Sequence, residues 1–123
     1  MLMKIGEIDK TVSEMTLEEK ACFVVGVGMP GMFGNPPSRV PGAAGETRFI
    51  ERFGIPSAVF ADGPAGLRIN PIREGEEKTY YATAFPIEIM LASTWNRDIL
   101  EAVGKAVGEE VREYGVDILL APA

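Results

Sequence analysis

Ile5, Ile8, Val12 and Met15 recur three or four residues apart, the spacing of one helix face, and predict a short first helix. Thr16 followed by Glu19 is a capping-box pattern, and it opens a second helix through Leu17, Ala21 and Val24. Residues 26–45 are rich in Gly and Pro and predict a long ordered loop, a kind of segment that tends to be functional in compact domains. The short apolar run 58–61, with Gly54 and Pro56 ahead of it, predicts a buried strand. Residues 68–79, with Arg73, Glu74, Glu76, Glu77 and Lys78 around Gly75, predict an exposed excursion. Phe85-Pro86 reopens the apolar pattern, and 89–93 reads as a second short strand. Asn96 caps a helix on which Ile99, Val103, Ala106, Val107, Glu110 and Tyr114 share one largely apolar face, and Gly115 ends it. Residues 116–121 are nearly all apolar, as in a strand buried on both faces of a parallel sheet.

Helix, loop, strand, strand, helix, strand is the beginning of an α/β barrel or a doubly wound sheet. Two or three parallel strands cannot close a barrel, which takes roughly 250 residues. The chain has 123 residues and stops directly after a strand. The expectation is therefore the N-terminal piece of a larger enzyme.

Composition narrows the chemistry. A hydrophobic share of 46% and a charged share of 24% are those of a globular protein. A net charge of −6 argues against nucleic acid and anionic membrane as partners. Residues 21–38 carry no charge, but their Gly and Pro content is incompatible with a membrane span. The N-terminus lacks the basic region and apolar core of a signal peptide, and Cys22 is the single cysteine, so a cytoplasmic location is expected. With no histidine in the chain, Ser–His and Cys–His catalysis are excluded within it and a zinc site is not expected. No cofactor is expected.

The strand at 58–61 ends on Asp62, and Gly63, Pro64 and Gly66 follow at once. Asp62 therefore stands at the C-terminal end of a strand, where loops build the ligand pocket in α/β proteins, and Arg68 is a cation close enough in sequence to share that site. The alternative is that Asp62 caps a turn, since Asp before Gly is ordinary turn chemistry. Gly26-Val27-Gly28-Met29-Pro30-Gly31 matches G-x-G-x-x-G, but a helix precedes it and a Pro-rich segment follows, which is the wrong context for a dinucleotide site. Hydrolysis by general acid–base chemistry commonly uses a pair of carboxylates. Glu18, Glu19, Glu101, Glu109, Glu110 and Glu113 lie on predicted helices as a solvated face, and Glu74, Glu76 and Glu77 lie in a charged loop. Asp117 is at the start of its strand, the stability end of a barrel. Trp95 could be a stacking platform for a ligand ring, but its setting favours a core position. Arg39, Glu46 and Arg48 could rim a pocket, with nothing in the pattern to set them above surface charges.

The segment Asp62-Gly63-Pro64-Ala65-Gly66-Leu67-Arg68 resembles the DGP-x-G-x-R motif of the N-terminal domain of glycoside hydrolase family three, the β-glucosidase and β-xylosidase family. Met15-Thr16-Leu17-Glu18-Glu19-Lys20, Phe85-Pro86 with Leu91-Ala92-Ser93-Thr94-Trp95-Asn96, and 104–110 leading through Tyr114-Gly115-Val116-Asp117 to Leu119-Leu120-Ala121-Pro122 agree in order and spacing. The resemblance implies an α/β fold, the N-terminal portion of a TIM-like (β/α) barrel, with residues 1–123 as its start and the rest of the barrel and an α/β sandwich domain outside this chain. It implies a retaining β-glucosidase acting on terminal non-reducing β-D-glucosyl residues of a small β-glucoside or cello-oligosaccharide. The barrel would be completed by the same polypeptide or by a second chain. Asp62 and Arg68 are then substrate-binding residues of the glycone subsite. The family's nucleophile, an aspartate later in the barrel, and its acid/base, a glutamate in a following domain, are not in this sequence, so the chain alone is expected to be inactive. The alternatives are a non-catalytic sugar-binding or scaffold module, a β-xylosidase of the same family, or an unrelated α/β enzyme with a coincidental motif.

Overall fold

The computed structural model describes residues 5–28, 31 and 34–122. Two helices come first, α1 (Ile5–Glu14) and α2 (Leu17–Val25). The capping box at α2 forms as expected: the Thr16 hydroxyl accepts the Glu19 N–H at 3.1 Å, and the Glu19 carboxylate accepts the Thr16 N–H at 2.8 Å. Arg52 closes on the same carboxylate, with Nε donating at 3.0 Å, and also donates to the Glu14 carbonyl at 2.9 Å. The Arg52 bonds, with those from Thr16, hold the Glu19 carboxyl down at about 2. This one acid therefore ties the α1–α2 junction to the 3₁₀ turn Glu51–Phe53.

Three strands follow: β1 (Gly45–Glu46), β2 (Val59–Asp62) and β3 (Ile118–Leu120). They form one sheet in the order β1-β2-β3. β1 runs antiparallel to β2, an addition to the loop expected up to residue 45. β3 runs parallel to β2, with Asp62 opposite Leu120. Between β2 and β3 lie α3 (Glu88–Ser93) and α4 (Arg97–Glu113), and the Asn96 side chain caps α4 by accepting the N–H groups of Asp98 and Ile99.

The strand expected over 89–93 is therefore a helix. Met90, Leu91 and Ala92 are strong helix formers, and Glu88 suits the positive first turn. The strand at 116–121 is also shorter and barer than expected, because Ile118 and Leu120 remain exposed. β3 ends the sheet, and nothing among the described residues covers that face. Trp95 is not core either. It is 92% exposed, and its left-handed φ of 53° in the link between α3 and α4 accompanies a side chain left in solvent.

The core gathers Val40, Ala43, Val59, Ala61, Leu67, Tyr114 and Val116. Along β2 burial alternates: Val59 and Ala61 point into this core, and Phe60 and Asp62 take the other face. That alternation keeps the Asp62 carboxylate out of the hydrophobic cluster while its backbone stays in the sheet.

Candidate functional site

Asp62 is the last residue of β2, and its side chain is half-exposed. The chain then reverses in a tight turn. The Gly66 N–H donates to the Gly63 carbonyl at 3.1 Å, and the Arg68 N–H donates to the Asp62 carbonyl at 2.9 Å. These two bonds bring Arg68 back beside Asp62, so that Arg68 Nη1 lies 3.8 Å from Asp62 Oδ2. The guanidinium is 82% exposed, which makes the pair a weak contributor to stability and leaves its hydrogen-bonding groups open to a ligand. Leu67, between them, is buried in the core and anchors the turn. The backbone of Asp62 makes the turn, while its half-exposed side chain keeps only the loose pairing with Arg68.

A cleft of about 380 Å³ runs beside this turn, lined by 65–69 and by Tyr80, Tyr81 and Thr83 among others. The 81–85 segment forming its far wall is pinned at three points. The Tyr114 hydroxyl donates to the Tyr81 carbonyl, both carboxylate oxygens of Glu110 accept the Thr83 N–H at 3.1 Å, and the Phe85 N–H donates to the Ala65 carbonyl at 2.9 Å. The Thr83 hydroxyl also donates to Glu110.

Glu110 is thus not merely a solvated helix residue. Its signal was present in the sequence, as a carboxylate interrupting the apolar face of α4, but its partner is 27 residues away. Arg73 was likewise missed in the charged excursion. Its guanidinium stacks 3.8 Å from the Tyr80 ring centroid and donates to the Tyr114 carbonyl at 2.7 Å. Glu76 accepts from the Tyr80 hydroxyl, and that bond pushes the phenol up from its ordinary range.

The other carboxylates sort by position. Asp117 accepts the Val59 N–H at 2.8 Å and pairs with Arg39, joining β2 and β3 at their N-terminal ends as a stability residue should. Arg39, Glu46 and Arg48 do rim a shallow cleft of about 370 Å³. Glu46, however, accepts from Ser38 at 2.9 Å and Ser57 at 2.6 Å, which is sufficient reason for its place there. The G-x-G-x-x-G stretch includes Met29 and Pro30, outside the described residues. Among the described residues no group of three His, Cys, Asp or Glu side chains is arranged to hold a metal ion.

Residues 51–123 match the family model described as the glycosyl hydrolase family 3 N-terminal domain. The thermostable beta-glucosidase B of Acetivibrio thermocellus is 38% identical over 121 residues, covering 94% of this chain and 14% of that protein. A probable beta-glucosidase A of Aspergillus terreus is 35% identical over 112 residues, covering 91% and 11%. Among solved structures, beta-glucosidase 3B from Thermotoga neapolitana in complex with α-D-glucose is 70% identical and superimposes with a TM-score of 0.88, covering 94% of this chain and 16% of that one. The chain thus spans between about a ninth and a sixth of the length of these relatives. Parallel β2 and β3, with α3 and α4 between them, are the N-terminal portion of a TIM-like (β/α) barrel, incomplete in this chain. Matched over more than half its length, the chain belongs to glycosyl hydrolase family 3.

Proposed function

We propose that this chain is part of a retaining β-glucosidase and supplies residues that hold the terminal non-reducing glucose. The observation that carries the reading is the Asp62–Arg68 pair at the C-terminal end of a parallel strand, a half-exposed anion and an exposed cation 3.8 Å apart. A carboxylate there can accept from two sugar hydroxyls in strong charge-assisted hydrogen bonds, and the guanidinium can donate to a third oxygen. The names of the relatives and the glucose in the Thermotoga neapolitana structure support the same substrate class.

Retention requires a nucleophile and an acid/base about 5–5.5 Å apart across the scissile bond. In this reading both carboxylates come from other parts of the complete protein, and Asp62 and Arg68 work by orientation. Contacts to remote hydroxyls that tighten as the ring distorts lower the barrier, because binding energy far from the anomeric carbon then acts in the transition state. The test is hydrolysis of aryl β-D-glucosides and aryl β-D-xylosides by the complete protein, with the anomer released followed by NMR. The expected result is preference for the glucoside and first release of the β-anomer. Preference for the xyloside, first release of the α-anomer, or no turnover of either would overturn it.

A further inference from the structure

Taking Asp62 and Arg68 as glycone-binding residues, we infer that Glu110 is a positioning residue for them, acting through Thr83 and Gly66. Glu110 spends both carboxylate oxygens on one residue, accepting the backbone N–H and the side-chain hydroxyl of Thr83. The Thr83 carbonyl lies directly against Gly66, so closely that a β-carbon on Gly66 would collide with it, and Phe85 Cδ2 would stand 3.2 Å away. Gly66 also has a φ of 108°, which side-chain-bearing residues rarely adopt. It is the middle of the turn whose two ends are Asp62 and Arg68.

The three residues form a continuous physical chain. Glu110 belongs to α4, a 17-residue helix. Thr83 is fixed to that helix, and the Thr83 carbonyl is the floor on which the Asp62–Arg68 turn rests. The Phe85 N–H to Ala65 carbonyl bond closes the same contact from the next residue but one. Releasing Thr83 frees the floor to shift, and with it the 3.8 Å separation of the two side chains offered to the sugar. Misplacement by about an ångström is enough to cost up to roughly a hundredfold in rate when geometry carries catalysis.

The experiment is a double-mutant cycle in the complete protein, measured well below its melting temperature with an aryl β-glucoside and with glucose as competitive inhibitor. Glu110→Ala is expected to lower kcat/KM about tenfold, with a parallel rise in the glucose inhibition constant. Glu110→Gln keeps a carbonyl acceptor for the Thr83 N–H and should recover most of that loss. Adding Glu110→Ala to Asp62→Ala should cost clearly less than Glu110→Ala costs alone, because one of the two positioned groups is already gone and only Arg68 is left to misplace. A folded Glu110→Ala protein with unchanged kinetics, or a loss that adds in full to that of Asp62→Ala, would overturn the inference. Should Glu110→Ala not fold, Thr83→Val, which removes only the hydroxyl bond, is read by the same two criteria. An Asp62→Ala protein with normal kinetics would instead overturn the glycone-binding reading itself.

Discussion

Gly63 and Leu119 face each other across the parallel pair β2–β3, and a β-carbon on Gly63 would run into Leu119 Cδ1 and crowd its Cγ. The glycine after Asp62 thus leaves room for the Leu119 side chain, which would have to shift to admit a methyl, and no left-handed φ is involved. Gly63→Ala should destabilise by about 1–3 kcal/mol, the ordinary cost of overpacking. Truncating the obstruction in the same chain, as Leu119→Ala, should make the added methyl nearly neutral. Thermal unfolding of the four proteins of this cycle checks it, and additive losses would contradict it.

Glu19 gives a pH signature. Its carboxyl, ordinarily near 4.5, is held down at about 2 first by the Arg52 hydrogen bond and then by the Thr16 N–H. A depressed carboxylate pKa contributes stability that is complete above the unfolded value and is lost as pH falls through the folded one. The difference in melting temperature between the native protein and Glu19→Gln should therefore be constant above about pH 5 and shrink steadily toward pH 2. A difference that stays flat over that window would show that the charge on Glu19 is not what holds the α1–α2 junction to Arg52.

Arg73 is expected to matter for stability and not for chemistry. Removing it abolishes a stacking contact on Tyr80 and a charge-assisted bond to the Tyr114 carbonyl. Arg73→Ala should cost about 2–3 kcal/mol. Arg73→Lys should recover little of this, because an ammonium cannot reproduce the planar stack. Chemical denaturation measures both, and full rescue by lysine would contradict the geometry.

Much of the fold was legible because its signals are local. Thr16 and Glu19 announce α2, Asn96 announces α4, and the apolar run before Asp62 announces β2, each within four residues. The run 89–93 misled because a short apolar stretch fits either element, and its Met, Leu and Ala favour the helix once Glu88 starts it. Trp95 misled because a large aromatic beside a helix cap is commonly buried, whereas here a left-handed backbone accompanies a side chain left in solvent. In the candidate site, the adjacency of Asp62 and Arg68 followed from six residues of sequence. The Glu110–Thr83 and Arg73–Tyr114 contacts did not, since tertiary packing of α4 and its C-terminal end against the 73–83 segment creates them.

The central claim, that Asp62 serves the sugar and not the fold, is tested most directly by Asp62→Ala in the complete protein, with kcat/KM and melting temperature measured on the same preparation. Each charge-assisted hydrogen bond lost should cost about 1.5–3 kcal/mol. Two of them amount to a fall of roughly a hundredfold to ten-thousandfold in kcat/KM. Part of that fall should appear in kcat, and the melting temperature should barely move, because the side chain is half-exposed and its ion pair with Arg68 is loose and open to solvent. A protein that melts lower but turns over normally would contradict the account and leave Asp62 as a turn residue.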